Sequence, residues 1–281
     1  MYRISPFTPI FFAPSSDCHG PASVTRQLFA DTDRILFEVI GIGDNEALPP
    51  LVIRNLDTLE EYSYQWLTWA MNEDTTLFFF ELHGMDSGLY EAIIGDRVSE
   101  PFIVTSDADL LSDTVLLQYS NRDNRQRSDV VFWIDCMQRF FDFRVPGGFK
   151  DDNWSFVVSN EQFVTSDNDK IDLFAQEGTV KTLTIGNSDG CPVWFAELVN
   201  RLLCCNFVYV DGVRYTRNES EVPEMTAEVE GLKSYIFKQG LQRVVNLDPY
   251  IEENNLIVMR RVEDDIYRSI TKNGATLNLI V

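Results

Sequence analysis

The sequence predicts a mainly β protein: two β-sandwich or barrel-like domains, the second with one α-helix at about 192–203. Three observations predict it. Short runs of β-branched and aromatic residues recur between turn-forming clusters along most of the chain. Aromatics reach 12%, with 20 Phe and 10 Tyr, which suits side chains packed on a pleated face. Pro192–Leu203 instead spaces its apolar residues with a helical period.

Residues 1–27 are irregular, with Pro6, Pro9, Pro14 and a Cys18-His19-Gly20-Pro21 turn signal. The prolines interrupt the apolar start, so it reads as a structured or docking arm rather than a signal peptide; as a docking arm it would reach a neighbour. Arg34–Ile40 reads as a strand, Gly41–Pro50 as a turn-rich loop and Leu51–Arg54 as a short strand. In Leu59–Met71 the aromatics Tyr62, Tyr64 and Trp66 stand two apart, which favours a strand. Thr76–Leu82 and Leu89–Ile94 read as a hairpin across His83–Gly88, and Ser99–Val104 closes a sandwich spanning 28–106. Thr105–Asp109 is small, polar and charged, and marks the boundary.

The domain 107–281 opens with the strand Thr114–Tyr119, followed by a polar loop, Asn121–Asp129, with three arginines. Val130–Ile134 and Phe140–Val145 read as strands, and Pro146-Gly147-Gly148 as a turn. Trp154–Val158, Glu161–Thr165, Ile171–Phe174 and Thr179–Ile185 continue the β pattern.

In the helix, Val193, Trp194, Phe195, Leu198, Val199, Leu202 and Leu203 merge into a wide apolar stripe, which predicts deep burial. Pro192 suits the first turn, and Ser188 or Asp189 stands upstream as a cap. Asp211-Gly212 between Asn206–Val210 and Val213–Tyr215 is a type I′ hairpin signal. Met225–Glu230, Lys233–Val245, Leu256–Arg260, Ile266–Ile270 and Ala275–Val281 read as further strands.

Charge narrows the partners. The 281 residues hold 23 Lys+Arg against 44 Asp+Glu, a net charge of −21. Such a chain repels phosphate backbones, so no nucleic acid partner is expected. No apolar stretch is long enough to span a membrane. The five cysteines show no ligand spacing, so reduced and mostly buried thiols are expected. Against the acidic background Arg122, Arg125 and Arg127 form a basic cluster. It reads either as a solvated loop or as a contact to an acidic neighbour such as another copy of the chain.

Catalytic signatures are missing. Only His19 and His83 are available for imidazole chemistry, both in turn-like contexts, and neither GxSxG nor HExxH occurs. Gly41-Ile42-Gly43 runs into Asp44-Asn45-Glu46, an acidic loop that repels a pyrophosphate. Asp167-Asn168-Asp169, Asp107-Ala108-Asp109 and Asp151-Asp152-Asn153 offer oxygens to calcium but lack the EF-hand pattern. No catalytic, cofactor-binding or metal residue is therefore assigned, although so many acids leave a glycosidase pair open.

Leu117–Asn124, Phe141–Phe149, Asn160–Phe163 and Ser99–Phe102 resemble uncharacterised proteins encoded by phages and prophages of gut Bacteroidetes. The order of strands, helix and Asp-Gly hairpin is also similar to distal-tail and baseplate-hub proteins of tailed phages, which form rings. The resemblance implies a virion structural protein of the tail or baseplate, made in the host bacterial cytoplasm. It would assemble with copies of itself, as a homo-oligomer, and with other virion proteins. The alternative expectation is a carbohydrate- or receptor-binding protein with a lectin-like first sandwich that uses Trp66 and Trp69.

Overall fold

Apolar residues fill both parities of the strand predicted at Arg34–Ile40, and that strand lies at the centre of the architecture. The computed structural model describes residues 2–12, 26–43, 48–187, 190–218, 224–229, 234–244, 258–263, 266–270 and 276–280. The first elements are β1 (Tyr2–Ile4), β2 (Gln27–Ala30), β3 (Ile35–Ile42), β4 (Leu51–Asn55), β5 (Glu61–Tyr64), β6 (Leu67–Ala70), β7 (Thr75–Leu82), β8 (Gly88–Ile94), β9 (Arg97–Val98) and β10 (Phe102–Thr105). Next come α1 (Ala108–Ser112), β11 (Thr114–Ser120), β12 (Trp133–Ile134), β13 (Met137–Gln138), β14 (Phe141–Val164) and β15 (Lys170–Ile185). The segment then continues with α2 (Val193–Leu202), β16 (Phe207–Val210), β17 (Val213–Arg217), β18 (Glu224–Val229) and β19 (Ser234–Arg243). The protein is mainly β, as the sequence predicts.

Two sheets, in the orders β1-β3-β7-β6 and β2-β10-β8-β4-β5, share one core. Side chains alternate along a strand, so β3 sends Ile35, Phe37 and Val39 into that core. Its opposite face sends Leu36 and Ile40 into a second core, joined by Leu77 and Phe79 from β7. The same second core holds Leu117, Phe141, Phe143 and the buried α2 residues Phe195, Leu198, Val199 and Leu202. The sheet containing β3 is therefore a middle layer.

Strands β15, β14, β11, β16, β17 and β19 follow one another in a sheet, and further rungs from β15 to β19 close it into a barrel. Side chains fill the interior of a barrel this small. The Asp211-Gly212 turn has φ of 48° and 77°, as a type I′ turn requires. Helix α2 begins one residue after Pro192, which stands at the N-cap without a side-chain hydrogen bond. Ser188 and Asp189, the expected caps, lie outside the described residues.

Several expectations are corrected. β7 and β8 do not form a hairpin: β7 pairs with β3 and β6, while β8 pairs with β4, β9 and β10. Residues 83–87 instead carry the chain from one sheet to the other. Alternation identified both strands but not their partners. Pro146-Gly147-Gly148 does not turn the chain. β14 runs through it, leaving β11 at Pro146 and pairing with β15 from Gly147. Gly147 has φ 124°, and a Cβ there would stand 2.1 Å from the Thr184 carbonyl oxygen, so only glycine fits. Val130–Phe132 are buried, but the strand there is limited to Trp133–Ile134. The expected boundary at 105–109 lies at the start of α1, where Asp107 accepts a 2.9 Å hydrogen bond from the Asp109 N–H. Of the two expectations for the opening segment, a structured or a docking arm, the described part bears out the first: over Tyr2–Phe12 it packs on its own chain, where β1 pairs with β3 and Phe7 is fully buried.

Residues 1–243 form one unit and residues 244–281 another. The latter contains β20 (Val258–Glu263), β21 (Ile266–Ile270) and β22 (Thr276–Ile280), an antiparallel three-stranded sheet.

A buried ion pair ties the turn before β3 to β14. Arg144 donates from Nε to Asp33 Oδ2 at 2.7 Å and from its second terminal nitrogen to Asp33 Oδ1 at 2.9 Å. Asp33 also accepts the Ala30 N–H at 2.8 Å. Removing one member of such a pair strands the other charge. Asp33→Ala is therefore expected to cost roughly 3–5 kcal/mol in urea unfolding. A loss below about 1 kcal/mol would show that the pair does not hold the two parts together.

Candidate functional site

The stretch Phe156-Val157-Val158 puts apolar side chains on both faces of one strand. Consecutive apolar residues normally mark a strand covered on both sides. Here they lie on a two-stranded ribbon. Beyond the rungs Thr114↔Pro146 and Val180↔Gln242, β14 and β15 pair only with each other among the described residues. Ser155–Val164 alone spans about 30 Å at roughly 3.3 Å per residue.

Among its described residues the ribbon is exposed nearly throughout. Phe156 is 77% exposed, Val158 67%, Phe163 55%, Val164 51% and Ile171 47%. Phe163 and Ile171 face each other across the strands. The end is closed by a turn in which the Thr165 N–H donates to the Asp169 carbonyl at 2.9 Å and Asn168 has φ 61°. Asp167 and Asp169 make that turn acidic. An isolated two-stranded ribbon is marginally stable in water. This one also exposes several large apolar groups, each of which contributes roughly 1.5–3 kcal/mol when fully covered.

Arg122, Arg125 and Arg127 occupy the loop before β12. Arg122 and Arg125 are exposed, and among the described residues neither side chain has an ion-pair partner. Arg127 is anchored: it grips Asp129 with bonds of 2.7 and 2.6 Å, and its guanidinium stands 4.8 Å from the Phe7 ring centre. The hydrogen-bonded Arg127 guanidinium holds the Asp129 carboxyl below its ordinary range. The loop borders an open groove of about 500 Å³ lined by Trp69, Met71, Asn124, Arg125, Arg127 and Val131. Trp69 and Met71 come from the middle layer, which topology alone brings beside the arginines.

The carboxyls raised furthest serve the junction between layers. Glu38 is fully buried, and burial pushes it up to about 8 despite the Val131 N–H, which donates to Oε2 at 3.2 Å, and the nearby Arg139. Burial likewise lifts Asp142 to about 6, although it accepts the Arg34 N–H at 3.0 Å and Gln118 Nε2 at 2.9 Å. Both are almost without solvent access, so they offer no carboxylate pair to a substrate. His83 is exposed in the link between sheets, and His19 lies outside the described residues. No group of three His, Cys, Asp or Glu suited to a metal occurs among the described residues. Of the calcium candidates, Asp107 caps α1 and Asp167–Asp169 forms the ribbon turn. The side chains of Asp151–Asn153 lie outside the described residues. Cys191 is buried, whereas Cys136 and Cys204 are exposed, which corrects the expectation of mostly buried thiols.

Trp66 and Trp69 do not share a platform. Trp66 packs on the sandwich core and donates from Nε1 to the Pro49 carbonyl at 2.7 Å, whereas Trp69 packs on the other core. No family model matches the chain, and the search of curated proteins finds no match.

Glu38 makes stability depend on pH. Its folded value of about 8 lies above the ordinary 4.5, so the folded state binds the proton more tightly than the unfolded state. The stabilisation is complete below about 4.5 and is lost as pH rises through about 8. Asp142 acts in the same sense between 3.8 and about 6, so the window above pH 6 isolates Glu38. Glu38→Gln is expected to gain on the wild type by about 1.4 kcal/mol per pH unit across that window. Urea unfolding curves for the two proteins that stay parallel between about pH 6 and about pH 8 would remove Glu38 as the cause.

Proposed function

We propose that the protein is a virion structural component of a phage tail or baseplate that works as one copy in a ring. The observation that carries assembly is the ribbon: its sequence pattern is that of a strand covered on both faces, yet Val158, Phe163, Val164 and Ile171 are 47–67% exposed. Another polypeptide supplies the cover. The virion context comes from the resemblance of Ser99–Phe102, Leu117–Asn124, Phe141–Phe149 and Asn160–Phe163 to phage and prophage proteins. Part of the resembling sequence, Asn160–Phe163, is on the ribbon itself.

In this reading the partners are copies of the chain and other virion proteins. The acidic surface favours basic neighbours and opposes nucleic acid. Synthesis takes place in the host bacterial cytoplasm and the finished protein resides in the virion. The separation of Trp66 from Trp69 gives the lectin-like alternative no shared aromatic platform.

The test shortens the ribbon without touching the barrel. Residues 157–178 are replaced by Asn-Gly, which joins the facing residues Phe156 and Thr179 through a two-residue turn. The shortened protein is expected to unfold within about 1 kcal/mol of the wild type, since the removed part adds no third strand. Light scattering after gel filtration is expected to show an oligomer for the wild type and a monomer for the variant. Purified virions labelled with an antibody to the chain are expected to show it on the tail. A shortened variant that assembles like the wild type, or virions that lack the chain, would overturn the proposal.

A further inference from the structure

The assembly reading leaves open what covers the ribbon. We infer that the ribbon end of one copy docks in the Arg125 groove of the next copy, a head-to-tail contact between two different surfaces of the same chain. The inference rests on the assembly reading and deepens it by naming both surfaces.

The two surfaces are complementary in kind. The ribbon end offers the cross-strand pair Phe163 and Ile171, flanking a turn that bears Asp167 and Asp169. The groove offers the half-buried Trp69 and Met71 for the apolar pair and Arg125 for the acids, with Arg122 exposed on the same loop. Copies of net charge −21 repel one another at long range, so the attraction is local. Arg127 is held by Asp129, which leaves Arg122 and Arg125, exposed and without an ion-pair partner among the described residues, to supply the positive charge for the acidic turn.

Beyond the rungs Thr114↔Pro146 and Val180↔Gln242, the ribbon strands pair only with each other among the described residues, which leaves the ribbon end to project from the barrel. A contact between unlike surfaces also propagates: every copy uses its ribbon once and its groove once, so copies close into a ring when the rotation between neighbours permits. Covering Phe163 and Ile171 contributes at most roughly 3–6 kcal/mol, against an association cost of about 4–15 kcal/mol. One contact is therefore weak, and ring closure, which gives each copy two, makes the assembly stable.

Charge reversal tests the pairing. Asp167→Lys with Asp169→Lys reverses the ribbon end, and Arg122→Glu with Arg125→Glu reverses the groove. All four positions are exposed, so both variants are expected to stay folded by circular dichroism. Each variant alone is expected to be monomeric, because its end and groove now repel. Mixed in equal amounts, the two are expected to assemble in alternation at one-to-one stoichiometry, read by native mass spectrometry. Variants that each assemble as the wild type does would overturn the pairing and leave the assembly reading intact. A mixture that remains monomeric would also overturn it. A wild type that never associates, at any concentration tested, would instead sink the assembly reading itself.

Discussion

Strand β3 of the middle sheet is covered on both faces, and the arrangement of everything else follows from that constraint. β3 alternates Ile35, Phe37 and Val39 into the sandwich core with Leu36, Glu38 and Ile40 turned towards the barrel. A register slip of one residue would bring Glu38 into the sandwich and turn Phe37 the other way. The register is pinned from both sides: β1 and β7 flank β3, and Asp33 at its entry is clamped by Arg144 of β14. Sandwich and barrel are thus two halves around one shared layer. Ser5 Oγ donates to the Asp129 carbonyl at 2.8 Å and Arg201 to the Pro6 carbonyl at 2.6 Å, so the opening segment ties this junction together.

The same constraint explains the polar groups at the junction. A sheet stacked between two cores leaves loop backbone buried, and buried N–H groups need acceptors. Glu38 accepts from Val131 and Asp142 from Arg34, each bridging elements distant in sequence. The penalty is desolvation, which lifts both carboxyls above their ordinary range. Similar raised values at an open cleft would suggest acid–base chemistry, but solvent access separates the cases. These acids are buried joints.

Strand positions were largely legible in the sequence, because period-2 alternation is local. The α2 helix and the Asp211-Gly212 turn were legible for the same reason. Partners were less so. Thr76–Leu82 and Leu89–Ile94 read as a hairpin, yet each pairs with strands that lie elsewhere in the chain. Pro146-Gly147-Gly148 carries turn residues, but Gly147 serves a close approach to Thr184 instead. The candidate site shows the same division. Arg122, Arg125 and Arg127 stood out by charge, while Trp69 and Met71 joined them only through tertiary packing. The ribbon carries its own signal: Phe156-Val157-Val158 lacks alternation, a pattern for a doubly covered strand, yet Val158 stands 67% exposed.

That mismatch between pattern and exposure is the centre of the account. A body built around the buried strand β3 presents a ribbon of about 30 Å with exposed apolar side chains, which the proposed assembly covers with another copy. Hydrogen exchange measured across a dilution series tests this most directly. Amides of Ile35–Ile40 are expected to exchange slowly at every concentration, since they lie in the shared layer. Amides of Phe156–Ile171 are expected to exchange quickly in the dilute monomer and slowly once copies associate. Ribbon amides that exchange at one rate across the whole transition from monomer to oligomer would contradict the account.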